Sequence, residues 1–115
     1  MTTRDVYDGI GDYDQMTSCI ANEESIRKFL RMFIEDQNFP QLEKAMENDD
    51  VKEAFSRAHT LKGVCQNLCL TKIYEIDFLV TEALREGKIM EAKKYMPELK
   101  ERYNQTVLQI ASMDE

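Results

Sequence analysis

The chain has one histidine, two prolines and four glycines in 115 residues, and its acids outnumber its lysines and arginines by 22 to 15. Each shortage removes a class of protein. A net charge of −7 leaves no basic footprint for a phosphate backbone, so nucleic-acid binding is not expected, and an anionic membrane surface repels the chain. No apolar run approaches the roughly 20 residues that span a bilayer. The opening residues MTTRDVYDGIG lack the apolar stretch of a secretory signal. Cys19, Cys65 and Cys69 form an odd set with no framework spacing, so free thiols in a reducing cytoplasm are expected. Cys65, Cys69 and His59 fall short of the four ligands of a closed zinc site, with only distant Cys19 to add. The acidic MENDD stretch lacks the alternating ligands of a calcium loop. Neither a metal nor a cofactor is expected on this chain.

What is present is amphipathic helix. A hydrophobic fraction of 43% and a charged fraction of 32% describe an ordinary globular protein, and the length suits one domain with a single core. We read residues 1–115 as that domain, its core at roughly 20–112, and expect a monomer. In ANEESIRKFLRMFIED, Asn22 is a candidate cap, and Ile26, Phe29, Leu30, Phe33 and Ile34 follow the helical template. NFPQLEKAMEND gives a second helix with Phe39, Leu42 and Met46 on one side. Asp50 with Glu53 resembles a capping box opening a central helix over about 51–68, whose core stripe is Val51, Phe55, Ala58, Leu61, Cys65 and Leu68. Thr71 can cap the next helix, which ends near Glu86 with Gly87 placed as a C′ glycine. A last helix covers about 89–113, and Pro97 within it predicts a kink or a short break. Such helices, joined by short loops, pack as antiparallel neighbours. The expected fold is all-α: an up-and-down four-helix bundle with extra short N-terminal helices. No cleft is expected on so compact a bundle.

The central helix carries the only histidine. On it, Lys62 and Gly63 are the i+3 and i+4 neighbours of His59, and Gln66 continues the line. This spacing puts an imidazole, an ammonium, bare backbone and an amide along one strip. A solvated surface with a glycine that admits another helix is the plain alternative. Glycine in mid-helix, however, costs about 1 kcal/mol relative to alanine, and such local breaches gather at functional sites. Neutral imidazole is a nucleophile near neutral pH and can hold a phosphoryl group. Lys62 would offset the charge of the phosphoryl oxygens. No glycine-rich nucleotide loop accompanies the strip, so autophosphorylation with ATP is not expected.

The segment AHTLKGVCQNLCL resembles the signature of the histidine-containing phosphotransfer (HPt) domains of two-component and phosphorelay signalling. The matching residues are His59, Leu61, Lys62, Gly63, Asn67 and Leu68. The resemblance implies a helical bundle whose exposed histidine exchanges a phosphoryl group with an aspartate on a receiver domain. Position by position it makes His59 the phosphoacceptor, Lys62 an aid to the phosphoryl oxygens, and Gly63 the access point for the receiver. Gln66 and Asn67 are weaker transfers, one for the partner and the other for the helix end. Cys69 stands where many relatives have glycine or a small residue. The partners implied are a response-regulator receiver domain, a histidine kinase, or both, with Mg2+ on the receiver. If the helix after Thr71 runs antiparallel, Arg85 returns toward the level of His59, as a phosphate sensor or as a solvated surface arginine. The alternative function is a scaffold that binds a receiver or another signalling partner through the same face without chemistry.

Overall fold

Asn22, in a computed structural model that describes residues 2–20 and 22–113, begins its helix as its sequence context predicts. Its Oδ1 accepts from the backbone N–H groups of Glu24 at 2.8 Å and Ser25 at 3.3 Å, which satisfies two of the orphan donors of a first turn. Among the described residues the chain forms seven helices and no strand. They are α1 (Thr3–Tyr7), α2 (Tyr13–Cys19), α3 (Glu23–Glu35), α4 (Asn38–Glu47), α5 (Val51–Asn67), α6 (Thr71–Arg85) and α7 (Ile89–Ala111). Asp50 caps α5 through Glu53 N–H at 3.1 Å.

Three of the helix ends share one device. After α4, α5 and α6 the C′ residue takes a left-handed conformation: Asp49 at φ 54°, Cys69 at φ 55° and Gly87 at φ 74°. In each case the following N–H reaches back to the carbonyl five residues earlier, from Asp50 to Ala45, Leu70 to Cys65 and Lys88 to Ala83. These are Schellman turns. They reverse the chain within three residues and set α4, α5, α6 and α7 up and down as a four-helix bundle, with α3 laid against α7. The fold is all-α, as its periodicity predicts. Phe39 of α4 stacks on Tyr103 of α7 at 4.2 Å between centroids, which brings the first and last bundle helices together.

The turns also explain a misplaced cap. Leu70, not Thr71, is the N-cap of α6, and no side chain caps that end. The Cys69 turn is so tight that buried Leu70 leads straight into the helix, making Thr71 its first residue. Pro97 produces no break, because α7 is continuous across it. The proline itself is exposed, while Ala92 and Leu99 on either side are completely buried. Packing along the whole length holds the helix despite one missing donor.

The apolar stripes are narrower than the sequence suggests. On α3, Ile26, Leu30 and Phe33 are buried, but Ile34 is half-buried and Phe29 is 38% exposed. Five stripe residues span a wider arc than α7 covers. On α5, Val51 and Phe55 are only half-buried, while Ala54, outside the expected stripe, is fully buried. Ala54 and Ala58 let α5 lie close to its neighbours.

The N-terminal arm, α1 and α2, docks on the turn between α5 and α6. Tyr7 Oη–H donates to the Leu68 carbonyl at 2.9 Å, Asp12 N–H to Cys69 O at 3.0 Å, and Lys72 N–H to Ile10 O at 3.2 Å. Gly11 lies at this crossing, where a Cβ would stand 2.2 Å from Cys69 O. No other residue type fits there.

Candidate functional site

His59 lies in mid-α5 with its side chain exposed. Among the described residues no protein group hydrogen-bonds its ring nitrogens. The imidazole stacks on Phe55, one turn earlier, with centroids 5.6 Å apart and planes 17° from parallel. Stacking uses the face of the ring and leaves the edge, where both nitrogens lie, open to an approaching group.

One turn after His59, the Cβ position of Gly63 meets nothing within 4 Å. The glycine therefore does not admit a neighbouring helix of this chain. It leaves open space beside the imidazole. Gln66 and Asn67 are exposed further along α5.

Lys62 departs from the strip. It is half-buried and leans across the α5–α6 seam, its Nζ 5.3 Å from the centroid of the Phe78 ring. Arg85 comes back along α6 as antiparallel packing requires, but its guanidinium carbon lies 5.0 Å from the centroid of Phe55 and its Nε donates to Glu82 Oε2 at 3.2 Å. It meets the ring beside His59, at a level one turn earlier on α5.

Two features here escaped the sequence reading. The first is a cleft where none was expected: a groove of about 420 Å³ between α3 and α5, lined by Ile20, Phe29, Met32, Val64, Asn67 and Leu68, among others. Met32 is 55% exposed at its edge. The signal lay in α3, whose apolar residues are too many for one buried face. The second is Asp77, which is completely buried on α6. Among the described residues no protein group hydrogen-bonds either of its oxygens, nor the Thr81 hydroxyl one turn on. Burial pushes the Asp77 carboxyl well above the usual carboxylate range, and the Lys62 charge opposes that shift. The signal for it lay in helical spacing: Asp77 falls four residues after Ile73, three before Val80 and seven before Leu84, all buried on α6. Cys65, across the seam, is buried as expected of a small hydrophobe, and burial raises its thiol pKa too.

The family model of the Hpt domain matches residues 28–107, which include every residue of the strip. This chain belongs to the Hpt domain family. No curated protein and no solved structure matches it. Hpt domains are phosphotransfer carriers of phosphorelays and interact with receiver domains and kinases, so phosphotransfer in a phosphorelay is the function of the fold described here. In this Hpt domain the matched segment begins within α3 and ends within α7, leaving the docked arm of α1 and α2 outside it. Among the described residues no helix is long and apolar enough to cross a membrane.

Proposed function

We propose that His59 is the phosphoacceptor of this Hpt domain and that a receiver domain is its partner. The observation that carries this reading is an exposed imidazole, with no protein hydrogen bond at its nitrogens among the described residues, beside a glycine whose side-chain space is empty. In the transfer step the lone pair of one imidazole nitrogen attacks the phosphorus of the receiver's aspartyl phosphate. The bond between phosphorus and the carboxyl oxygen breaks, and the aspartate leaves as carboxylate with that electron pair. The other ring nitrogen carries its proton through the attack and then loses it to solvent, which leaves an uncharged ring bearing a phosphoryl dianion. The reverse sequence returns the group.

Lys62 swings from the Phe78 ring to the phosphoryl oxygens as a point charge; a half-buried cation–π contact of this kind holds it by about 1–2 kcal/mol. The receiver keeps its own Mg2+, and this chain needs no cofactor and no kinase activity. Docking covers Gly63 and Gln66, and the α3–α5 groove, reached through Asn67, adds apolar area to the contact.

Incubation with a panel of phosphorylated receiver domains and Mg2+ tests the reading, using wild type and His59→Gln. Acid-labile, alkali-stable label on wild type alone is the expected result. Receiver binding without label on wild type would instead make the bundle a scaffold. A metal-binding role would require stoichiometric metal in the purified protein.

A further inference from the structure

Phe55 belongs to the apolar stripe of α5 by spacing, yet it is half-buried and carries two polar side chains on its ring. The His59 imidazole lies nearly parallel to it, and the Arg85 guanidinium stands over it from the last turn of α6. Neither contact is needed to close the core, because α5 and α6 already pack along their lengths, with Ala58 and Leu61 on one and Val80 and Leu84 on the other all buried.

The stack restricts what an exposed histidine otherwise does. A free imidazole turns about two side-chain torsions and presents face or edge at random to an incoming phosphorus. In-line attack uses only the edge, so each unproductive orientation lowers the rate. A ring lying on Phe55 keeps its edge outward. The same shelf holds a guanidinium that can pair with phosphoryl oxygens once the group is on the ring. Glu82 holds Arg85 beforehand, but their side chains are 42% and 48% exposed, and such surface pairs contribute at most about 1 kcal/mol. A phosphoryl dianion can outcompete that carboxylate.

We propose that Phe55 is a positioning residue for phosphotransfer: an aromatic shelf that orients His59 edge-outward and keeps Arg85 next to the group His59 receives. The proposal rests on His59 being the phosphoacceptor.

The test compares full-length wild type, Phe55→Leu and Phe55→Tyr in single-turnover transfer from a phosphorylated receiver that labels wild type. Receiver affinity and the ring-proton shifts of His59 are measured on the same samples. Leucine keeps apolar bulk and removes the flat face, whereas tyrosine keeps the face. Phe55→Leu is expected to slow transfer roughly tenfold or more, with receiver affinity unchanged and the ring-current shift of His59 lost. Phe55→Tyr should transfer within about twofold of wild type, and Arg85→Gln should slow transfer less in the leucine background than in wild type. Wild-type transfer by Phe55→Leu, or equal slowing by leucine and tyrosine, would overturn the shelf while leaving phosphotransfer intact. Absence of label on wild type from every receiver would overturn the phosphotransfer reading, and the shelf's role with it.

Discussion

At Gly63 an added Cβ meets no atom within 4 Å and the backbone is ordinary helix, so Gly63→Ala is expected to stabilise the protein by about 1 kcal/mol. At Gly87 the backbone sits at φ 74°, and Gly87→Ala should destabilise by about 1 kcal/mol despite equally open space. Denaturant titration of the two variants checks both signs. Gly63→Leu should also fold, yet block docking; unchanged transfer in that variant would remove the access role of the glycine. Asp77 poses the opposite case, a group whose burial lowers stability. Its carboxyl binds a proton more tightly folded than unfolded, so the folded state carries more protons. Its cost is absent well below the ordinary value of 3.8 and grows as pH rises from there toward the raised folded value. Asp77→Asn should therefore raise the unfolding midpoint more at about pH 8 than at about pH 5. An equal gain at both would remove the buried carboxyl from the account.

Among the elements, α3 exposes what a bundle helix usually hides. Phe29 and Met32 line the groove; Met32→Gln, at 55% exposure, should change stability by no more than about 0.5 kcal/mol, whereas Phe29→Gln, at 38% exposure, also loses covered apolar area and should cost about 1–2 kcal/mol. If the receiver covers the groove, each should weaken its binding by about 1 kcal/mol or more, mostly through faster dissociation. Unaltered affinity would move the docking face off α3. The helices themselves were legible in the sequence, because caps and periodicity act within a few residues: Asn22, Asp50 and Gly87 stand where local rules put them. So was the motif strip, since i+3 and i+4 spacing fixes neighbours on one helix. What a sequence stripe does not contain is how much of a face the neighbouring helices cover. That is why Phe29 and Phe55 read as core, why the groove went unseen, and why Lys62 lies across the seam. Asp77 is a different case: its spacing from Ile73, Val80 and Leu84 puts it on the buried stripe of α6, and only its residue type argued against burial.

For the whole molecule, the N-terminal arm joins the turn after α5 to distant parts of the chain. Gln109 on α7 also donates to the carbonyls of Asp5 and Asp8, at 3.2 and 3.4 Å. Unfolding of arm and bundle should thus be one event. Tyr7→Phe removes a buried hydrogen bond and strands the Leu68 carbonyl, so a loss of roughly 1–3 kcal/mol is expected. A single shared transition by circular dichroism and by arm proteolysis would confirm the coupling; arm cleavage well below the bundle's midpoint would refute it. The Tyr7 hydroxyl has a consequence of its own. Burial raises its pKa well above the ordinary tyrosine value of 10.0, so in alkali it ionises only after the arm lets go. The chain has no tryptophan and five tyrosines, so phenolate absorbance is not masked by an indole. Burial raises the Tyr103 pKa as well, so the late step that Tyr7→Phe removes is the label-free optical record of undocking at the end of the helix that carries His59.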